Sequence, residues 1–352
     1  MKKILFDVRE LERKKFSGIG RFVLAILENK DYFKDFEFIL VGNKKTDFDK
    51  SLLINFEKHI INDSFPFISE QIAISRLIKK IKPDIYFSPY YKYPIFTKIP
   101  VITSVFDVTY LKIEPYKSKL INKFYIKNFI KYFTARTNII ITSSYNTKKD
   151  ILSFFDINEE KIKVIYLPIK DSFKPQSKEK TDSVKQKFKI DRKYILHVGN
   201  NSAHKNIKTL YEAYKLLPEN IKKEYLLILV GFKDIKNEYP LAKVLSYVED
   251  DDLKALYSMC SLFVFPSLYE GFGYPPLEAV SCGARVLSSN KSSLPEILGD
   301  MVFYFNPDDV DELKERIIKL LKEDIEKKNI DLSRFKLENF LCNVKEVLNS
   351  LV

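Results

Sequence analysis

Two glutamates stand eight positions apart around a glycine-rich turn, in a stretch suited to binding a polyhydroxylated ligand. Glu270 opens the run EGFGYPPLE and Glu278 closes it. The run follows an apolar segment, 262–265, that is short enough to be a buried parallel strand, and Pro276 favours the start of a helix. An ionised carboxylate accepts two hydrogen bonds from vicinal hydroxyls, and its charge strengthens both. The spacing therefore predicts two carboxylates at the carboxyl end of a strand, where open α/β sheets bind ligands.

A simpler alternative is that Glu278 complements a helix dipole and that Glu270 is a surface charge in a loop. The whole run nevertheless resembles the glutamate–seven–glutamate motif of retaining glycosyltransferases of family four, which have the GT-B fold. The resemblance implies that the first glutamate touches hydroxyls of the donor sugar and that the second holds the nucleotide ribose. Glycines suit such a site because backbone amides can then approach sugar and phosphate closely. The other donor contacts implied in this run are Gly271, Phe272, Gly273 and Leu277.

A second loop of small residues, GNNSAHKN, follows an apolar segment and precedes a helix predicted over 207–217. Lys205 at the start of that helix can place a point charge on a diphosphate, supported by free amides and the helix dipole; a solvated lysine is the alternative. In the resembling family an arginine and a lysine clamp the diphosphate here, and His204 stands at the arginine's position. A neutral histidine donates one hydrogen bond and has full charge only when protonated. The implied donor contacts are Gly199, Asn200, His204 and Lys205.

The first half of the chain begins with a pattern typical of an anion site. A strand over 3–8, a turn with the sequence SGIGR over 17–21 and a helix over 22–27 would present free helix amides to a ligand; a plain tight turn is the alternative. The SGIGR turn is similar to the loop that many family-four enzymes place against donor phosphate and acceptor. This similarity implies a donor contact from Gly18.

Asp107 follows a strand predicted over 100–105. Resembling enzymes usually carry His-Asp here, with the histidine reaching the donor sugar, but Phe106 occupies that position in this chain. Asp107 is a candidate for binding sugar or acceptor hydroxyls; the alternative is that it caps the turn before Val108. Transfer does not require the missing histidine, because the leaving phosphate can accept the acceptor's proton. The catalytic candidates are Glu270, Asp107 and Lys205.

Three consecutive aspartates at 250–252 could suggest a metal site. Acid at the N-terminus of a helix, predicted here over 253–259, is the commoner explanation. A short strand is predicted over 246–248, and the resemblance implies that Val248 lies beside the nucleobase. It also implies that no divalent metal or other cofactor is needed, so no metal ligand is predicted.

The net charge of +12 favours polyanionic partners, but no nucleic-acid-binding motif accompanies it, and no nucleic-acid partner is predicted.

No stretch approaches the ~18 consecutive apolar residues of a membrane span. No signal peptide is predicted from the first residues, and three cysteines without metal spacing suit a reducing cytoplasm. A helix predicted over 117–136 either packs its aromatics into the core or contacts anionic lipid as a peripheral membrane surface. Its cationic stripe is Lys119, Lys123, Lys127 and Lys131.

A chain of 352 residues suits two domains, and two α/β series predict two Rossmann-like, doubly wound domains. The resemblance implies an acceptor-side domain over 1–172, a nucleotide-sugar-binding domain over 173–335 and a helix over 336–352 that packs back on the first domain, with the domains facing each other across a cleft. The expected function is a retaining, metal-independent transfer of a hexose, with GDP-mannose the first guess, to a glycan or lipid-linked acceptor in surface polysaccharide biosynthesis. The alternatives are a nucleotide-sugar epimerase of the same fold, which would isomerise the donor without an acceptor, and a non-catalytic sugar-nucleotide-binding relative.

Overall fold

The computed structural model describes residues 1–12, 18–49, 53–62, 70–113, 131–134, 136–233, 237–323 and 328–352. The chain divides into two compact units. The first contains Met1–Leu111, the described part of Lys117–Pro168, and Phe335–Val352, and the second is built on Ile169–Arg334. The last helix of the chain therefore belongs to the first unit.

The first unit is built on a sheet in which the described residues form seven parallel strands in the order β3-β2-β1-β4-β5-β6-β7. The inner strands β4, β5 and β6 are buried along their whole length, which explains their continuous apolar sequences. The strands are β1 (Lys2–Asp7), β2 (Phe36–Asn43), β3 (Glu57–Ile61), β4 (Ile85–Ser88), β5 (Val101–Ser104), β6 (Ile139–Thr142) and β7 (Ile162–Val164).

The second unit repeats this design with six described strands, all parallel, in the order β10-β9-β8-β11-β12-β13. Apolar residues from the strands and from the helices beside them form one continuous core. The strands are β8 (Lys193–Val198), β9 (Tyr225–Val230), β10 (Ala242–Leu245), β11 (Leu262–Phe265), β12 (Val286–Ser289) and β13 (Phe303–Phe305).

Helices connect the parallel strands in both units. Among the described residues, every helix is too short or too polar to span a bilayer. The helices are α1 (Gly18–Leu27), α2 (Ser75–Ile81), α3 (Thr109–Lys112), α4 (Tyr145–Phe154), α5 (Lys178–Phe188), α6 (Ile207–Lys215), α7 (Glu219–Glu224), α8 (Asp250–Met259), α9 (Tyr274–Ser281), α10 (Leu294–Leu298), α11 (Val310–Lys322) and α12 (Leu337–Asn349).

The last helix, α12, is fixed to the first unit by an aromatic contact and an ion pair. The ring of Phe340 lies edge-on to that of Phe22 in α1, with 5.5 Å between the centroids. The ammonium of Lys345 lies 3.2 Å from the Asp35 carboxylate. Phe340 and Phe22 are buried, so the aromatic contact supplies most of the attachment.

Each sheet has one place where the strand order reverses. In the first sheet β1 lies between β2 and β4, and in the second β8 lies between β9 and β11. Loops that leave the two neighbouring strands turn in opposite directions there and open a crevice at the carboxyl ends of the strands. The residues that follow β1, β4, β8 and β11 are therefore the best placed to bind ligands.

The predicted strand over 246–248 is wrong, because the strand is β10, which ends at Leu245. The three aspartates form the first turn of α8 rather than preceding it. Two of them pair with lysines: Asp252 lies 3.0 Å from Lys180, and Asp251 lies 2.7 Å from Lys254. Burial alone would raise the pKa of Asp252, but hydrogen bonds from Lys187 and Lys180 outweigh it and lower the pKa.

Two further predictions need adjustment or fall outside the described residues. The helix after the first glutamate begins at Tyr274, two residues before the predicted position, and Gly273 precedes it with a left-handed φ of 103°. Of the helix predicted over 117–136, only 131–134 and 136 are described, so most of its cationic stripe lies outside the described residues.

β8 leads into the crevice of the second sheet through a closely packed histidine and glycine pair. His197 is fully buried, and its Nδ1 lies 2.9 Å from the carbonyl oxygen of Val264. Because a carbonyl only accepts, Nδ1 carries the proton and Nε2 keeps a lone pair, which has no hydrogen-bond partner among the described residues. A Cβ added at Gly199 would lie 2.8 Å from that Nε2, and one added at Gly231 would lie 2.1 Å from the Gly199 carbonyl oxygen. The end of β8 therefore has no room for larger residues.

Gly231→Ala should destabilise the chain more than Gly299→Ala. Both glycines have positive φ, 93° and 48°, so alanine is strained at each by about 1–2 kcal/mol. At Gly231 the new methyl group also collides with backbone, which adds about 1–3 kcal/mol, whereas a Cβ at Gly299 meets no described atom within 4 Å. Urea unfolding monitored by circular dichroism measures the difference, and equal losses for the two variants would contradict the packing described at Gly199.

His197 should make stability depend on pH. Burial is the main cause that lowers its pKa to about 4 from the ordinary 6.5. Between these two pH values the unfolded chain binds a proton here that the folded chain does not, so the free energy of unfolding falls as the pH is lowered, by about 3 kcal/mol in total.

His197→Phe keeps the ring and removes this titration. The difference in free energy of unfolding between the wild type and this variant should shrink or reverse as the pH falls from 6.5 to 4 and stay constant above pH 7. Chemical denaturation at a series of pH values measures it. A difference that is independent of pH would show that the histidine is not held neutral.

Candidate active site

Lys205 and Glu270 meet at the switch point of the second sheet. The lysine ends a single turn of 3-10 helix, Ala203–Lys205, in the loop after β8, and the glutamate lies in the loop after β11. The Lys205 ammonium donates a hydrogen bond of 2.7 Å to Glu270 Oε1, and the two side chains are only 13% and 12% exposed. The ammonium also lies 5.3 Å from the centre of the Phe265 ring. The structure thus brings together two of the three predicted catalytic residues, as a mostly buried ion pair.

Hydrogen bonds to backbone carbonyl oxygens hold the two loops against each other. The Leu268 amide donates to the carbonyl oxygen of His204 at 2.8 Å. The side-chain amide of Asn206 donates to the carbonyl oxygens of Pro266, at 3.2 Å, and Pro307, at 2.9 Å. Asn206 has a φ of 53°, in the left-handed region that asparagine tolerates better than most residues. The loop after β8 is therefore fixed to the loop after β11 on both sides of Lys205.

Two serines that sequence reasoning missed determine the path of the glutamate loop. The Glu270 amide donates to Ser292 Oγ at 2.8 Å. The buried Ser293 hydroxyl lies 2.9 Å from the Glu270 carbonyl oxygen and 3.2 Å from that of Phe272. Both serines come from the turn after β12, about twenty residues further along the chain. Both serines stand directly before α10, which begins at Leu294, and belong to no motif of their own.

Glu278 lies in α9 and is 2% exposed. Its Oε2 accepts a hydrogen bond of 3.2 Å from the hydroxyl of Tyr257 in α8. A carboxylate this deeply buried requires hydrogen-bond donors around it, and the tyrosine, which the sequence analysis missed, supplies one. Glu278 is therefore positioned by the helix behind it, whereas Glu270 is positioned by Lys205 and the serine turn.

The glycines of the site allow close approach of backbone. Gly273, at the start of α9, has a φ of 103°, and a Cβ there would lie 2.7 Å from Leu294. The Gly199 amide donates to the Val230 carbonyl oxygen at 2.9 Å. Asn200 is exposed and its Oδ1 accepts from the amide of Ser202 at 3.1 Å, which shapes the turn that leads to Lys205.

The remaining predicted donor contacts lie at several depths. Val248 and Leu277 are buried, whereas Gly271 and His204 are partly buried. Phe272 is also buried, and its ring lies 5.2 Å from that of Tyr274. Gly18 is exposed at the first position of α1 in the first unit.

Asp107 is exposed, and its Oδ1 accepts a hydrogen bond of 3.0 Å from the Thr109 amide at the start of α3. This is the capping role considered as its alternative. The neighbouring Phe106 packs its ring edge-on against Phe22, with 5.1 Å between the centroids. Phe106 therefore contributes to the packing of the first unit.

Two family models match the chain. The model described as Glycosyltransferase Family 4 matches residues 54–173, and the one described as Glycosyl transferases group 1 matches residues 178–334. The second match covers the whole of the Lys205, Glu270 and Glu278 region. Together the two matches cover most of both units.

The similar curated proteins include several mannosyltransferases. The chain is 35% identical over 198 residues to the O-antigen chain mannosyltransferase B of Escherichia coli, a match that covers 53% of this chain and 52% of that protein. It is 33% identical over 217 residues to the serotype-specific mannosyltransferase WbdA of Escherichia coli, covering 57% of this chain and 26% of that protein. With the O-antigen chain mannosyltransferase RfbU of Salmonella typhimurium it shares 30% identity over 236 residues, covering 64% and 63%. The chain thus spans between about a quarter and just under two thirds of these relatives' length.

Solved structures with the same fold match the chain from end to end. The UDP-glucose complex of Anabaena Alr3699/HepE has a TM-score of 0.78 at 18% identity, with 100% of both chains covered. WaaG, a glycosyltransferase involved in lipopolysaccharide biosynthesis, has a TM-score of 0.72 at 16% identity, with 99% of this chain and 95% of that chain covered. At these identities the likeness establishes the fold. The chain therefore belongs to the GT-B glycosyltransferases, with a family 4 segment in its first half and a group 1 segment in its second.

Proposed function

We propose that the chain transfers a hexose from a nucleoside-diphosphate sugar to a hydroxyl of a glycan or lipid-linked acceptor, with retention of configuration at the anomeric carbon. One observation carries the proposal. The Lys205 ammonium and the Glu270 carboxylate lie 2.7 Å apart, mostly buried, at the switch point of the second sheet. The cation suits a diphosphate and the carboxylate suits sugar hydroxyls. The pair therefore matches both groups that the bond between sugar and diphosphate joins, and transfer breaks that bond.

Transfer breaks the bond between the anomeric carbon and the β-phosphate oxygen and forms a bond to the acceptor oxygen. The proton of the acceptor hydroxyl passes to the departing phosphate, so no protein base is required. An ammonium has three N–H donors, and Lys205 gives one of them to Glu270. It can stabilise the charge that develops on the diphosphate while the pair stays together. Attack from the face that the phosphate leaves keeps the configuration.

Glu278 is the proposed ribose contact. Its carboxylate is buried and accepts from Tyr257, so it is held in one orientation before a nucleotide arrives. Vicinal ribose hydroxyls would donate to it as charge-assisted hydrogen bonds. Fixing the ribose in this way positions the diphosphate relative to Lys205.

The sugar and nucleobase are proposed from the relatives. Proteins named as mannosyltransferases favour mannose, with GDP-mannose the first donor to test. The Anabaena structure holds UDP-glucose, which makes uridine nucleotides the second choice. Thermal shifts with GDP, UDP and dTDP separate the donors, since a ligand at 100 times its Kd stabilises the folded chain by about 2.7 kcal/mol.

The proposed setting is synthesis of a surface polysaccharide at the cytoplasmic side of a membrane. O-antigen relatives support the polysaccharide, and the net charge of +12 supports attraction to anionic lipid. Sedimentation of the full chain with vesicles, with and without phosphatidylglycerol, tests the membrane contact.

We expect transfer to proceed without a divalent metal, because Lys205 can supply positive charge to the diphosphate. Product formation from the best nucleotide sugar should be unchanged after treatment with EDTA. Activity that disappears with EDTA and returns with Mg²⁺ would contradict this. Isomerised donor in reactions without acceptor would identify an epimerase instead.

Lys205→Met should weaken nucleotide binding, whereas Glu270→Gln should not. Loss of the cation should weaken binding of the nucleoside diphosphate by about 10- to 100-fold, because a charged hydrogen bond contributes about 1.5–3 kcal/mol. Removing the Glu270 charge should leave that binding unchanged or make it stronger, since a carboxylate next to the diphosphate is repulsive. Both variants should lower kcat/KM for transfer by about 100- to 1000-fold. Calorimetric titration and a coupled assay measure the two effects.

Glu224→Gln is the matched control. Glu224 also pairs with a lysine of the second unit, Lys193 at 2.8 Å, but on the surface. Glu224→Gln should leave nucleotide binding and transfer within about 2-fold of the wild type. If Lys205→Met and Glu270→Gln weaken nucleotide binding equally, the pair is a structural element and the proposal fails.

A further inference from the structure

A second set of buried charges lies at the switch point of the first sheet. It consists of five residues that lie in β1, in β4 or in the loops that follow these strands, here named the β1–β4 cluster: Asp7, Arg9, Glu10, Tyr86 and Tyr90. Asp7, at the end of β1, is fully buried and Arg9 is 9% exposed. The Arg9 guanidinium approaches the Asp7 carboxylate at 2.6 Å through Nη2 and at 3.0 Å through Nε. Tyr86 of β4 donates to the same carboxylate at 3.1 Å.

Glu10 and Tyr90 extend the cluster towards the surface. The Tyr90 hydroxyl lies 2.5 Å from Glu10 Oε2. Burial, and then the hydrogen bond to Glu10, raise the pKa of Tyr90, so the phenol stays protonated and donates to the carboxylate. Tyr90 is partly exposed, whereas Glu10 is 9% exposed. Asp7 and Arg9 also act on the pKa of Tyr90, which places the two pairs within electrostatic reach of each other.

The loop that carries Arg9 and Glu10 is fixed at both ends. The Val8 amide donates to the Val41 carbonyl oxygen at 2.8 Å, and the Asp47 amide donates to that of Leu11 at 2.7 Å. Glu12 forms an antiparallel bridge with Thr46. These bonds tie the loop to β2 and the turn that follows it, so the side chains of the cluster are held in place before a ligand binds.

Burying such a set is costly. Removing an ion pair of this kind from water costs several kcal/mol per ion by general estimates, and apolar residues would cover the end of β1 more cheaply. The set also lies where the topology opens a crevice in the first sheet. We propose that the β1–β4 cluster binds the hydroxyl groups of a saccharide, through Glu10 and Tyr90 oriented by the Asp7–Arg9 pair.

The charges favour a neutral saccharide over a phosphate. The cluster contains two carboxylates and one guanidinium, and the Asp7 carboxylate already takes that guanidinium at two nitrogens. Within the cluster, a phosphate would therefore face the negative Glu10 while the one guanidinium is engaged by Asp7. A sugar hydroxyl can donate to the carboxylate and accept from the phenol. This inference deepens the proposed function, because it assigns the cluster to the saccharide end of the acceptor rather than to a lipid diphosphate.

Saturation-transfer NMR tests the site with the full chain and three probes, the methyl α-glycosides of mannose, glucose and galactose. At least one should receive saturation, and Glu10→Gln and Tyr90→Phe should each weaken its binding about 10-fold or more. Excess inorganic phosphate should not compete. Glu224→Gln and Tyr304→Phe, which change the same residue types in the second unit, should leave the signal unchanged.

Three outcomes would overturn the inference: no transfer to any of the three glycosides, equal transfer in Glu10→Gln, Tyr90→Phe and the wild type, or loss of transfer in Glu270→Gln alone. Thermal shifts with nucleoside diphosphates in the same variants distinguish a failure of this inference from a failure of the proposed function. A nucleotide shift that depends on Lys205, together with saccharide binding that ignores Glu10 and Tyr90, would reject the saccharide site and leave the donor site standing. A misfolded variant would lose both the nucleotide-dependent thermal shift and saccharide binding.

Discussion

The candidate active site depends on keeping a lysine and a glutamate charged while both are mostly removed from water. Lys205 and Glu270 are about one eighth exposed, so each would pay a large desolvation cost alone. Their mutual hydrogen bond offsets that cost, and removing one partner of such a pair typically costs about 3–5 kcal/mol. The pair is thus stable without a ligand. A ligand with an anionic end and a hydroxyl end can bind without leaving either charge uncompensated, which is why the proposed donor is a sugar joined to a diphosphate.

The rest of the second unit serves to hold that pair in position. Lys205 is on the loop after β8 and Glu270 is on the loop after β11, neighbouring strands that are far apart in sequence. Asn206 and the Leu268 amide tie the loops together, and Ser292 and Ser293 fix the backbone on either side of Glu270. The tight packing of Gly199 on His197 and Gly231 then fixes the direction in which the first loop leaves β8. Except for the contact between Gly199 and His197, each of these contacts joins residues more than twenty positions apart, so the geometry of the site is a property of the folded sheet.

The local sequence pattern was sufficient to predict strands that are buried on both faces of a sheet. The strands predicted over 100–105 and 262–265 agree with β5 and β11 because buried runs such as VITS and LFVF have few alternatives. β3 was missed, since its sequence EKHII is polar at the start and mostly exposed. The strand predicted over 246–248 was displaced because two short apolar runs, AKVL and SYV, compete there and pairing with β9 selects the first. The register of that pairing cannot be read from either run alone.

The same distinction applies to the functional residues. Lys205 and Glu270 were found because the lysine lies in a local run of small residues and the glutamate in a run of glycines and prolines. Tyr257 and Ser293 act on these runs from other elements and have no signal of their own. The β1–β4 cluster was missed for a related reason, because Asp7 and Arg9 are two residues apart but Tyr86 and Tyr90 reach them only through the pairing of β1 with β4. In both sheets the strand order decides where a crevice opens, and the residues at that point decide what it can bind. One topology therefore supports a cation with a carboxylate in the second unit and a neutralised arginine with a carboxylate and a phenol in the first. The two proposed ligand chemistries thus require no change of fold.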